Sequence, residues 1–82
     1  METYMPFNQD LVDELNILVR YNLTTTLEGI KVHKSADSRI IDATRRLFLK
    51  GLITQEDGGY LTLLGRETAE QAQTILSILK TP

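Results

Sequence analysis

The chain has no cysteine, a single histidine, two prolines and no apolar run near the length of a membrane span. Without cysteine there are no disulfides, no thiolate nucleophiles and no Cys-ligated metal sites, which fits a reducing compartment. A bilayer-crossing helix needs roughly 20 consecutive apolar residues. The opening stretch METYMPFNQD is acidic and polar, so it does not read as a signal peptide. A cytoplasmic location is the expectation. A lone histidine among scattered carboxylates supplies no metal-ligand set, and no cofactor motif is present; the DGG run lacks the Lys-Ser/Thr helix start of a phosphate loop.

What is present is an ordinary globular composition over 82 residues, 41% hydrophobic and 24% charged. That length makes one domain, 1–82, with a modest core that a second copy would help to stabilise. The net charge of −2 hides an uneven distribution. Between residues 31 and 50, six cations (Lys31, Lys34, Arg39, Arg45, Arg46, Lys50) stand against two carboxylates, a net of +4. The rest of the chain carries three cations against nine carboxylates, a net of −6. Clustered Lys and Arg are the electrostatic footprint of phosphate binding. A solvated helix face laced with weak ion pairs produces the same pattern.

Periodicity organises the chain into a mainly α domain with a small β-hairpin. Residues 8–21 form the first helical segment, with Asn8 as N-cap and Asp10 at the positive end of the dipole. Leu11, Val12, Leu15, Leu18 and Val19 share one face at about 100° per residue. Ile17 and Tyr21 fall outside that stripe and must meet another element or a partner. In residues 22–36, three consecutive threonines disfavour a helix interior. Thr25 and Glu28 nonetheless fit a capping box, so a short helix or turn is predicted at 25–29, followed by an extended piece through Ile30 and Val32.

The best-defined helix spans 37–50, with Asp37 as N-cap. Ala43, Leu47, Ile40, Thr44, Phe48 and Ile41 sweep one half of its wheel. Ser38, Arg39, Asp42, Arg45, Arg46 and Lys50 take the other, with Leu49 standing among them. Gly51 ends this helix. A hairpin follows over 52–62, with EDGG supplying the positive φ angles of a tight turn. Thr62 caps a last helix at 63–79. There Leu64, Ala69, Ala72, Ile75, Leu76 and Leu79 line one face, and Ile78 lies off it. The terminal helices are therefore expected to mediate a homodimer.

The segment RRLFLKGLI followed by GGYLTLLGRETA resembles the winged helix-turn-helix domain of bacterial regulators. Leu47, Gly51, Leu52, Ile53, Tyr60, Leu61, Thr62 and Gly65 carry the resemblance. The chain as a whole is similar to a family of short uncharacterised bacterial proteins with FNLTTT-EGIKVH-like and KGLITQ-DGGYLT stretches. The winged-helix resemblance implies a non-enzymatic DNA-binding protein, a small transcriptional regulator, whose helix 37–50 enters the major groove. The implied contact set is Lys31, Lys34, Ser38, Arg39, Asp42, Arg45, Arg46 and Lys50. Arg can read guanine with two hydrogen bonds, whereas Lys and Ser mostly hold phosphates. The acidic tip at Glu56 and Asp57 is repelled by phosphate, so the helix should dominate and the wing point away.

Two other readings stand beside this one. His33, Ser35 and Asp37 contain the residue types of a hydrolase triad, but alternate positions on one strand cannot form its relay. No catalytic residue is expected. The alternative to DNA is a protein-interaction or dimerisation module, for which Leu49, Ile17, Tyr21 and Ile78 supply apolar surface, because fold does not fix function. Counter-charges on the basic face would favour the module. An open basic face would favour DNA.

Overall fold

The computed structural model describes residues 4–82, so residues 1–3 of the expected domain and of its N-terminal stretch lie outside the description. Three helices and one small antiparallel sheet alternate as α1 (Gln9–Leu18), β1 (Ile30–Lys31), α2 (Ser38–Leu49), β2 (Ile53–Gln55), β3 (Gly58–Leu61) and α3 (Leu63–Leu79). The fold is mainly α with a hairpin, and the sheet order is β1-β3-β2.

The element ends follow local chemistry. The Asn8 side chain accepts from the Leu11 amide at 3.0 Å and starts α1. The Asp37 carboxylate accepts from Arg39 N at 2.8 Å and starts α2. Gly51, at φ +78°, takes the left-handed conformation just past α2. The Leu52 amide then reaches back to the Leu47 carbonyl and the Gly51 amide to that of Phe48, both at 3.0 Å. These two bonds are a Schellman closure, which turns the chain directly into β2. Thr62 ties the base of the hairpin to the next helix. Its hydroxyl donates to the Gly51 carbonyl at 2.6 Å and accepts from the Gly65 amide at 3.0 Å. A Cβ on Gly65 would overlap the Leu52 carbonyl, so only glycine lets α3 start this close to the hairpin.

The hairpin turns at Glu56 and Asp57, with Gly58 and Gly59 at positive φ in the first residues of β3. Thr54 Oγ1 accepts from the Tyr60 amide at 2.9 Å where the β2–β3 register is irregular. β1 pairs with the other edge of β3 through Ile30 opposite Gly59 and Lys31 opposite Gly58.

Residues 25–29 are not helical, which corrects the capping-box reading. Thr25 Oγ1 accepts from the Leu27 amide, two residues on rather than three. Glu28 accepts from Asn22 Nδ2 at 2.9 Å instead of reaching back to a helix start. The hydroxyl-rich stretch bonds to its own turn, the competition that makes threonine a poor helix interior residue. Arg66 holds this turn from α3, donating to the carbonyls of Leu23 and Thr25 at 3.1 and 3.0 Å.

The core is Ile17, Leu18, Tyr21, Ala43, Leu47, Ile53 and Ala69. Ile17 and Tyr21, outside the apolar stripe of α1, are therefore central: α2 packs on the Ile17 side of α1, and Tyr21, just past the helix, reaches β3 and α3. The stripe itself is split: Leu18 is buried, Leu11, Leu15 and Val19 are half-buried, and Val12 is exposed. On α3, Ala69 and Ala72 are buried, whereas Ile75, Leu76, Ile78 and Leu79 run past the core into solvent.

The Tyr21 hydroxyl donates to the Gly59 carbonyl at 3.1 Å, and burial pushes its pKa up to about 12. Above pH 10 the phenol of the unfolded chain loses its proton while the folded one keeps it, so stability falls between pH 10 and about 12. Tyr21→Phe should remove up to about 1.4 kcal/mol per pH unit of that slope. At neutral pH it should cost about 1 kcal/mol for the lost hydrogen bond. Denaturant unfolding across this range checks both. Identical pH slopes in the two proteins would contradict the assignment.

Candidate nucleic-acid interface

The polar half of α2 is divided between two destinations. One part turns onto α1. Asp10, Glu14 and Ile17 recur on α1 at i, i+4 and i+7, with Asp13 adjacent. Arg39, Ala43, Arg46 and Lys50 recur on α2 at i, i+4, i+7 and i+11. Each set is one helix face, and the two faces meet.

Glu14 sits at the centre of this contact, with its side chain only 7% exposed. Arg46 Nε donates to its Oε2 at 2.9 Å, and Lys50 Nζ donates to its Oε1. The second arm of Arg46 reaches the Asp10 carbonyl at 3.2 Å and lies 3.8 Å from the Asp10 carboxylate. Arg39 grips Asp13 with both forks, Nη2 to Oδ1 at 2.7 Å and Nε to Oδ2 at 3.1 Å. The Arg39 hydrogen bonds hold the Asp13 carboxyl below the usual carboxylate range, with the Gln9 amide assisting. The same contact raises the Arg39 guanidinium, and the bond to Glu14 raises that of Arg46.

The other part of α2 stays open. Ser38, Asp42, Arg45 and Leu49 are exposed along one line of the helix, Leu49 at 69%. Arg45 lies 3.6 Å from Glu56 at the hairpin tip, with both side chains more than 60% exposed. Lys31 and Lys34 are exposed and make no ion pair among the described residues.

The structure thus separates the residues expected at a DNA face. Arg46 and Lys50 are bound to a buried carboxylate and belong to the α1–α2 joint. Arg39 is paired, but 62% of its side chain faces water. Lys31, Lys34, Ser38, Asp42 and Arg45 stay on the surface. The hairpin tip leans its acidic end on Arg45 instead of projecting away from α2. Sequence reasoning missed Asp10, Asp13 and Glu14 as the partners of this face. Their helical spacing in line with Ile17 was the available signal.

His33, Ser35 and Asp37 form no relay. Asp37 caps α2, and the His33 carbonyl accepts from the Ala36 amide at 3.0 Å. No group of His, Asp or Glu suited to a metal ion, and no helix long and apolar enough to cross a membrane, occurs among the described residues.

A second surface feature lies on the opposite side of α1. Phe7, Val12, Leu15, Val19, Ala72, Ile75, Leu76 and Leu79 line an apolar groove of about 430 Å³ between α1 and α3. It is formed by Val12, Leu15 and Val19 of the expected α1 stripe and the uncovered half of the α3 stripe.

The chain belongs to a family of unknown function, DUF5669, whose model matches residues 5–80. No curated protein and no solved structure was found to match it.

Glu14→Ala should destabilise the fold by about 3 kcal/mol. That is the low end for breaking a buried ion pair, because Arg46 and Lys50 keep partial access to water. Asp42→Ala, on the open line of α2, should change stability by less than about 0.5 kcal/mol. Chemical denaturation of the two variants checks the contrast, and equal effects would contradict it.

Proposed function

We propose that this chain is a small non-enzymatic DNA-binding protein of winged-helix-like layout. It would act in the cytoplasm as a homodimer, in transcriptional regulation. The observation that carries the reading is the arrangement around α2. This helix runs through a Schellman turn straight into a β-hairpin, and the hairpin lies in a β1-β3-β2 sheet. Lys31, Lys34, Arg39 and Arg45 remain exposed around it. Exposed ion pairs are worth about 0–1 kcal/mol, so Arg45 exchanges Glu56 for a phosphate at small cost, whereas Arg39, 62% exposed, offers its open side to a phosphate while its fork stays on Asp13, a carboxylate only 12% exposed. Arg46 and Lys50 do not, because leaving Glu14 would strand a buried charge. Binding is then weak and carried chiefly by phosphates.

The groove between α1 and α3 supports the dimer. Ile75, Leu76 and Leu79 are large apolar side chains at the open end of a chain with a small core. Contiguous exposed apolar surface of this kind marks interaction sites.

A second reading, a protein-interaction module that does not bind DNA, is favoured by the pairing itself. Four cations of α2 face carboxylates of α1 and the hairpin, and Leu49 stands exposed among the polar residues.

DNA binding separates the two. Four remaining cationic contacts give a log–log salt slope of roughly −3 to −4, at about −0.9 per phosphate neutralised. Arg45→Ala should weaken binding and reduce the slope by about 1 with the fold unchanged. No binding of duplex DNA at about 50 mM salt, where electrostatic affinity is high, would leave the interaction module.

For the dimer, wild-type protein should sediment at twice its 9.3 kDa chain mass. Leu76→Glu combined with Leu79→Glu should give a folded monomer, since both residues are exposed in the single chain. A wild-type monomer at high concentration would contradict the interface.

A further inference from the structure

The cations of the described chain divide by their partners. Arg39, Arg45, Arg46 and Lys50 face carboxylates. Arg66 is spent on two backbone carbonyls. Arg20, Lys31, Lys34 and Lys80 make no ion pair among the described residues. Two of these, Arg20 and Lys31, come together away from the open line of α2. They line a concave cleft of about 280 Å³ between the end of α1 and the turn that precedes α2. His33 and Ser35 complete its polar wall, and Val32, Ala36 and Ile40 supply the apolar remainder.

No carboxylate lines this cleft. The apolar groove between α1 and α3 also lacks a carboxylate, but it carries no cation. The adjoining cleft, which shares Arg20 and Ile40, does contain Asp13 and Asp37. Asp13 is neutralised by the Arg39 fork, and Asp37 accepts from the Arg39 amide through one oxygen. Arg20 makes an ion pair with neither of them. Its planar fork suits a tetrahedral oxyanion, Lys31 adds a point charge, and Ser35 and His33 can donate.

We infer that Arg20, Lys31, His33 and Ser35 form a phosphate-binding cleft, and that its ligand is a backbone phosphate of duplex DNA. The source of the phosphate rests on the DNA-binding reading, while the oxyanion chemistry of the cleft stands apart from it. The cleft places contacts on the turn just past α1 and on the strand and turn ahead of α2, residues outside the helix that the basic run singles out.

Backbone amide shifts of the full chain, titrated separately with inorganic pyrophosphate and with a short mixed-sequence DNA duplex, test this. Both probes should shift residues 20, 31, 33 and 35 in a saturable way. Arg20→Gln with Lys31→Gln should abolish the pyrophosphate shifts. It should also weaken DNA binding by about tenfold or more and lower the salt slope by about 2, since each lost phosphate contact accounts for about 0.9. These side chains are exposed, so thermal unfolding of the double variant should match wild type. Pyrophosphate shifts at the cleft with no DNA binding would keep the oxyanion site and remove DNA as its source. DNA binding with an unchanged slope in the double variant would overturn the cleft and leave DNA binding to α2. No saturable shift at the cleft with either probe would overturn it outright.

Discussion

The fold is organised around one buried carboxylate. Glu14 lies at the joint of α1 and α2, where an ionised group is tolerated only if its oxygens are satisfied. Arg46 takes one oxygen and Lys50 the other. These bonds fix the rotation of α2 on its own axis, and two consequences follow. Ala43 and Leu47 are brought into the core beside Ile17 and Leu18. Ser38, Asp42, Arg45 and Leu49 are left as the outward line of α2. A buried ion pair is weak evidence for net stability.

The remaining packing depends on small residues. Ala69 and Ala72 let α3 lie close to its neighbours, and Gly65 lets it begin against the Leu52 carbonyl. A helix of 17 residues is about 25 Å long at 1.5 Å per residue, more than the small core can cover. Its last turns therefore expose Ile75, Leu76, Ile78 and Leu79. The groove and the charged joint occupy different sides of α1.

What was legible in the sequence was local. Asp37, Gly51 and Thr62 mark boundaries through bonds to amides and carbonyls a few residues away, or through a backbone conformation that glycine adopts freely. The apolar half of α2 was equally readable, because Ala43, Leu47, Ile40 and Phe48 face one core. The α1 stripe misled, because that helix serves two surfaces: Leu18 reaches the core, while Val12, Leu15 and Val19 line the groove. Ile17 and Tyr21, assigned to neither, are buried in the core, Tyr21 with bonds to Gly59 of β3 and Gln73 of α3. The same tertiary cause hid the site. Composition showed a basic segment inside an acidic chain, but the α1 acids that meet it are 26 and more residues away in sequence. The threonine-rich stretch was unreadable for another reason. Its side chains bond within their own turn, and a pattern that fits a capping box also fits the shorter turn that forms.

The central claim is that Arg46 serves the fold through Glu14 and is not part of an open binding face. A double-mutant cycle on Glu14→Gln and Arg46→Met, read by equilibrium unfolding, measures this directly. The account predicts a coupling of about 1–3 kcal/mol, as for residues sharing one ion-pair network. Additivity within about 0.3–0.5 kcal/mol, the behaviour of independent sites, would contradict it.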